Sequence, residues 1–275
     1  MRLIVLSLVL ASVSIVPAHA ANLVAGYTFD ESSGDTAKDA VRGSAGDATV
    51  LGADGSQWTD GFIGGAVSVD GVDDWLQAVN PIANGATEMT FSGWVKADTL
   101  PVWGSVVKNW GGTEAGQYHF GLQAGDGDLS NFLHNTEGGV SNIRENSALA
   151  TDEWTHVAFT YGDGKHGLYK NGAKVAEADF TGALNFPLSQ VTDGVGIVGI
   201  GVKTDNTGAI PDPGAPGFWD GSFDDFAFYD GALSDVEIST IYQNGLQGVS
   251  AVPEPSSVIL GLLGVVGLLG FRRRS

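Results

Sequence analysis

Residues Glu153–Gly172 read EWTHVAFTYGDGKHGLYKNG. From Trp154 to Tyr161 the side chains alternate, with Val157, Phe159 and Tyr161 on one face and Trp154, His156 and Ala158 on the other. A period of two belongs to a strand with one face against a core. Asn171-Gly172 follows, the favoured pair for a type I′ hairpin turn, which needs φ above zero at both central residues. It joins Leu168–Lys170 to Ala173–Ala176 and makes the local pattern antiparallel β.

The same reading extends in both directions. Leu23–Phe29, Ala66–Val69, Trp75–Val79, Met89–Val95, Ser105–Asn109, Tyr118–Gln123 and Leu129–His134 read as strands, separated by turns rich in Gly, Asp and Asn. Ser234-Asp235-Val236-Glu237 is a capping box, with Ile238 and Ile241 on the apolar face and Gly245 as the stop, and predicts one short C-terminal helix. Many short strands and one helix imply a sandwich or a barrel. No cysteine is present, so stability rests on packing or on bound metal.

The two ends read differently from the middle. Residues 1–20 carry Arg2, an apolar run from Leu3 to Val16 and the small-residue pattern Ala18-His19-Ala20, the arrangement of a cleaved export signal. At the other end Pro253-Glu254-Pro255 precedes fourteen uncharged residues, Val258 to Phe271, and then Arg272, Arg273 and Arg274. As a helix that run is about 21 Å long at about 1.5 Å per residue. A hydrocarbon core is about 30 Å thick, so the expected hydrophobic helix spans only a thinned bilayer. The arginines stay on the cytoplasmic side and the body lies outside. Without Arg2 and the three tail arginines, and without Glu254, nine basic residues face 31 acidic ones, a charge of about −22. That balance argues against nucleic acid and anionic membrane partners, and for divalent cations.

The tail resembles the PEP-CTERM sorting signal of exopolysaccharide-producing bacteria with a Gram-negative envelope. The resemblance implies processing by exosortase, a membrane protease-transpeptidase that reads the tripeptide. A transient inner-membrane anchor, then the cell surface or extracellular matrix, follows as the expected itinerary. The middle resembles the laminin-G-like jelly roll of the concanavalin A-like lectin and glucanase superfamily. The resemblance rests on LVAGYTFDESSGDTAKDAV, GGAVSVDGVDDWL, MTFSGWVKA, EWTHVAFTYGDGKHGLYKNG and DGSFDDFAFYDGALSDVEISTIYQNG, in that order. It implies an all-β, two-sheet antiparallel sandwich over residues 21–248, between a signal at 1–20 and a sorting tail at 249–275. The loop TDNTGAIPDPGAPG, residues 204–217, departs from the compact pattern and is expected at the rim.

Fold does not dictate chemistry. Glucanases of this superfamily carry an E-x-D-x-E-like strand; Glu177-Ala178-Asp179 is the nearest stretch here and lacks the third carboxylate. No G-x-S-x-G elbow and no zinc-like histidine pair occurs. The expectation is therefore a non-catalytic domain. The resemblance implies a structural calcium ion near the first and last strands, where Asp30, Glu31, Asp39 and Asp224 supply hard oxygen ligands. Trp103, Trp110 and Trp219 fall in or beside turns, and with Asp73, Asp74 and Trp75 form an expected rim for a polysaccharide or surface protein. The alternatives are a structural matrix protein without a specific ligand and an extracellular glycoside hydrolase or lyase.

Overall fold

The computed structural model describes residues 21–123 and 125–253. The signal with Ala18 and Ala20, and the tail with Glu254, Pro255, Arg272, Arg273, Arg274 and the hydrophobic helix expected over 258–271, lie outside the described residues.

Sixteen strands follow one another along the described chain. They are β1 (Leu23–Tyr27), β2 (Thr36–Ala37), β3 (Ala48–Leu51), β4 (Trp58–Asp60), β5 (Gly65–Asp70), β6 (Trp75–Val79), β7 (Met89–Ala97) and β8 (Ser105–Asn109). They continue with β9 (Tyr118–Leu122), β10 (Asp128–His134), β11 (Val140–Ala148), β12 (Trp154–Gly162), β13 (Lys165–Lys170), β14 (Ala173–Asp179), β15 (Ile197–Ile200) and β16 (Asp220–Tyr229). One sheet has the order β14-β13-β12-β7-β16-β5-β4, with β1 also paired to β16; the other runs β11-β10-β9-β8-β15-β6-β3-β2. The strands pair antiparallel in both, the sandwich that the alternation and the resemblance imply.

Asn171 (φ 49°) and Gly172 (φ 74°) close the β13–β14 hairpin with the left-handed pair of a type I′ turn. Asn171 Oδ1 also accepts the His156 N–H at 3.0 Å, tying the turn to β12.

The core lies between the sheets. Phe91 on β7 is its hub, with ring centroids 5.6 Å from Phe120, 6.1 Å from Phe159, 4.9 Å from Phe226 and 5.1 Å from Phe228. Phe120 belongs to the opposite sheet and sits 5.2 Å from Phe159, so these rings hold the two layers together.

The outer face of the first sheet is closed as well. Helix α2 (Asp235–Gly245) lies on it, started by the predicted capping box of Ser234 and Glu237. Ile238 packs with Ala158, Tyr169 and Leu233. Trp94 stacks on Phe62 at 3.7 Å and touches His156 and Tyr242. Gly245 is the last helical residue, not the left-handed stop that its position suggested. A Cβ there would lie 2.7 Å from Trp94 Cζ2, and the chain turns at Gly248 instead.

Two features escape the sequence pattern. A one-turn helix, α1 (Leu188–Asp193), starts after Pro187 and ends at left-handed Gly194, too short to show a helical period. Strand β11 reads VSNIRENSA, with only Ser141 and Ile143 buried and the rest polar or exposed.

If Phe91 is the hub, Phe91→Ala costs about 3–5 kcal/mol of unfolding free energy. Urea titration monitored by near-ultraviolet circular dichroism measures it, and a loss below about 1 kcal/mol contradicts the assignment.

Candidate functional site on the second sheet

The outer face of the second sheet is not covered by a helix among the described residues. Alternation along β9 sends Tyr118, Phe120 and Leu122 into the core and leaves His119 outward. Along β10 it buries Leu129 and Leu133 and turns Phe132 and His134 outward. Phe132 pairs with His119, and His119 with Lys108 on β8. Two turns then add the tryptophans. Trp103 stacks on His119 with centroids 5.7 Å apart, and Trp110 approaches the same imidazole at 5.7 Å from another side. Phe132 lies 5.4 Å from His119 and 5.9 Å from Trp103, and His134 lies 6.2 Å from Trp110. All five side chains are half-buried, and together they make one continuous aromatic surface.

The surface is held rigidly. Trp103 sits at φ 60°, a costly conformation for a side chain of that size. Its carbonyl accepts from Lys108 Nζ at 3.0 Å, and Gly217 packs so closely on that carbonyl that a Cβ would collide with it. Lys108 is only 1 % exposed, and burial, then the neighbouring Lys203, holds its ammonium well below the usual lysine range. Burial, followed by Lys108 and Lys203, likewise pushes the His119 pKa well below its ordinary value, so His119 is neutral at physiological pH. The rim loop borders the surface: Asn206 accepts the N–H groups of Thr113 and Glu114, and Lys203 pairs with Asp212 at 2.5 Å.

Of the residues expected to bind ligand, Trp103 and Trp110 meet on this surface. Trp219 does not. It is fully buried, its ring 5.5 Å from Phe223 and its Nε1 donating to the Lys96 carbonyl. Trp75 is also buried, although Leu76 and Ala78 take the core-facing positions of β6 and Trp75 is not part of the core cluster. Asp73 and Asp74 lie in the β5–β6 turn with Asp70, their carboxylates within 4.8 Å of one another. Asp70 Oδ1 accepts three N–H groups there, from Val72, Asp73 and Asp74. Burial, then Asp70 and Asp73, pushes the Asp74 carboxyl up to about 6. His119, Phe132 and His134 are the members that sequence reasoning missed. Their signal is an aromatic ring at outward positions of strands whose inward positions are mostly apolar.

The four acids expected to meet near the terminal strands do so only in part. Strands β1 and β16 do pair. Asp30 Oδ1 accepts the Gly65 N–H at 2.6 Å, and Asp224 Oδ2 accepts the Ile63 N–H at 2.7 Å, on the same turn. Asp39 is elsewhere: it pairs with Arg42 at 2.5 Å and accepts the Val41, Arg42 and Gly26 N–H groups, leaving no oxygen for a cation. Glu31 accepts the Lys38 N–H at 2.7 Å instead of joining Asp224. Asp224 is buried with Oδ1 unpartnered, and burial, then Asp225 and Asp30, pushes its carboxyl up to about 8. A carboxyl in that setting is either protonated or balanced by a cation. Asp224 thus keeps one oxygen free for a cation and Asp39 does not; among the described residues the one group of three acids close enough together to hold a metal is Asp70, Asp73 and Asp74.

Comparison with known proteins defines the class first. A concanavalin A-like lectin/glucanases profile matches residues 70–239, more than half of the chain. The chain belongs to the concanavalin A-like lectin/glucanases superfamily, in its laminin-G-like branch, and carries a PEP-CTERM protein-sorting motif at 251–274. The motif implies export and processing by exosortase at the membrane. Among the described residues no helix is long and apolar enough to cross a membrane.

No curated protein matches the chain. Solved structures match the fold. Domain 4 of AbnA, an extracellular arabinanase of Geobacillus stearothermophilus solved with arabinotriose, is 20 % identical with a TM-score of 0.59, over 81 % of this chain and 98 % of that one. The binding domain of Paraclostridial Mosquitocidal Protein 1 is 18 % identical with a TM-score of 0.56, over 80 % and 52 %. Trypanosoma rangeli sialidase, solved with sialic acid, is 14 % identical with a TM-score of 0.55, over 82 % and 33 %.

The raised Asp224 pKa makes a signed prediction for the cation-free protein. The stability tied to its proton is fully present below about pH 4 and is lost as pH rises through about 8. Burial holds His156 and His166 down to about 3, so their effect is confined below about pH 6.5. In chelator, the Asp224 contribution to unfolding free energy therefore falls from pH 6.5 to 8, at up to about 1.4 kcal/mol per unit, against the opposite slope of buried Lys108, whose ammonium is held well below the usual lysine range. Asp224→Asn flattens that fall in urea titrations; an unchanged slope contradicts the assignment.

Proposed function

We propose that this is an exported, non-catalytic carbohydrate-recognition domain, delivered to the cell surface or extracellular matrix and binding polysaccharide on the outer face of its second sheet. The observation that carries the reading is the Trp103–His119–Trp110 array, flanked by Phe132 and His134. Flat, partly exposed aromatic rings on a rigid sheet stack against the apolar faces of sugar rings. Two platforms separated by an imidazole suit a chain of several sugars better than a single one. The arabinotriose bound to AbnA domain 4 supports this as a use of the fold.

The charges beside the surface favour an uncharged polymer. Lys203 pairs with Asp212 and Arg144 with Asp126 at 3.2 Å, Lys170 pairs with Glu145, and His119 is neutral. A uronate chain would also approach a body of charge about −22. Against catalysis stands the state of the nearest carboxylate pair: Glu177 and Asp179 lie on edge strand β14 and are ion-paired with Lys165 and Lys174. The same reading gives the Asp30–Asp224 turn a structural calcium ion, supported by the unpartnered Asp224 Oδ1. Calcium at about ten times its Kd then stabilises the protein by about 1.4 kcal/mol, and Asp224→Asn removes the gain.

Affinity electrophoresis of residues 21–253 in gels containing arabinan, xylan, mixed-linkage glucan or polygalacturonate tests the assignment. Retardation by at least one neutral polymer is expected, with little change between low and high salt. Trp103→Ala or Trp110→Ala is expected to weaken it about tenfold or more, and Val102→Ala to leave it unchanged. Retardation by none of the polymers favours a matrix protein without a ligand, and release of reducing sugar favours the hydrolase.

A further inference from the structure

The chain does not leave the domain freely before its sorting motif. After α2 it turns at Gly248 (φ 72°) and runs back onto the body. Ser250 Oγ and the Ala251 N–H both donate to the Asp225 carboxylate, the second at 2.9 Å. Ser250 Oγ in turn accepts the Val252 N–H at 2.8 Å. Asp225 is 3 % exposed and sits at φ 51°, a left-handed conformation that aims its carboxylate at this segment. Val252 is 1 % exposed although it directly precedes the Pro-Glu-Pro tripeptide. Its methyl groups fill a notch that only glycine leaves: a Cβ on Gly26 would lie 2.7 and 2.9 Å from Val252 Cγ1 and Cγ2. Pro253 is exposed at the mouth of a cleft of about 580 Å³ that Asp30, Ile63, Gly64 and Asp225 also line.

These contacts conflict with processing. A tripeptide in extended proline geometry covers only about 9 Å at about 3.1 Å per residue. With Val252 seated, the tripeptide begins one residue after a buried side chain, and only two serines separate its end from the apolar stretch. A membrane enzyme that takes the tripeptide into its site needs chain on both sides of it. We propose that the domain carries a docking site for the base of its own sorting tail, built by Gly26 and Asp225, and that exosortase reads the tripeptide only from the undocked state. The inference rests on the sorting motif, not on the glycan reading. The rate of processing then scales with the undocked fraction, because only that fraction is competent. The latch delays tail removal until the segment opens, and after processing the remaining stub stays held against the body.

The test is pulse-chase of the full-length chain in a host containing exosortase, following loss of the tail, with hydrogen exchange of residues 249–252 on the purified full-length chain. Asp225→Asn keeps a residue that tolerates the left-handed conformation and weakens both hydrogen bonds. Gly26→Ala displaces Val252 by steric overlap. Neither change touches the sorting motif. Both are expected to speed exchange at Ala251 and Val252 and to shorten the half-time of tail loss several-fold, with Val249→Ala as an unaffected control. If Asp225→Asn fails to fold, Gly26→Ala carries the same reading. Faster exchange with unchanged or slower tail loss overturns the proposal, as does exchange that neither variant alters. A parent chain that keeps its tail in that host contradicts the sorting reading itself, and the latch with it.

Discussion

Two sheets can share one dry core only if every strand spends alternate side chains on it. Phe91, Phe120, Phe159, Phe226 and Phe228 meet at that core and fix which way each neighbouring residue must point. On the first sheet the remaining face is closed by α2, with Ile238 seated among Ala158, Tyr169 and Leu233. On the second sheet the outward residues His119, Phe132 and His134 gain no such cover, and they are aromatic. A slip of one residue in β9 would exchange Phe120 for His119 in the core and erase both the sandwich and its exposed surface. The surface is thus a by-product of register, made specific by which residues occupy the outward positions.

Rigidity is what such a surface contributes to binding. A glycan gains little from each sugar face, so the protein must not lose side-chain freedom in making the contact. Lys108 illustrates how this is arranged. Its amine lies on the outer face beside His119 with no carboxylate paired to it among the described residues, donates to the Trp103 carbonyl and holds that turn in a left-handed conformation. Burying a lysine is costly, and here the cost is tied to the placement of one ring.

Much of the architecture could be read from residue order. The alternation in 154–161, the Asn171-Gly172 turn and the capping box at Ser234 each reflect a local rule that the tertiary structure does not override. The site was legible only in part, for a physical reason. Whether a tryptophan beside a turn faces solvent depends on the strand it leads into. Trp103 precedes β8 and stays half-exposed, whereas Trp219 precedes β16 and drops into the core beside Phe223. The outward histidines and Phe132 carry no mark of their own, since one strand's inward face is known only once its partner is placed. The acids near the terminal strands show the same limit. Pairing of β1 with β16 was foreseeable; that Arg42 would claim Asp39 was not, because the ion pair forms within a turn that has no periodicity.

If the open face of the second sheet binds a glycan, nitrogen-15 spectra of the indole N–H groups observe that binding one ring at a time. On titration with neutral oligosaccharides of arabinose, xylose or glucose, the Trp103 and Trp110 resonances are expected to move together. Those of Trp75, Trp94 and Trp219, all buried, should stay fixed. Saturable shifts confined to other tryptophans, or none at all across the three sugars, would contradict it.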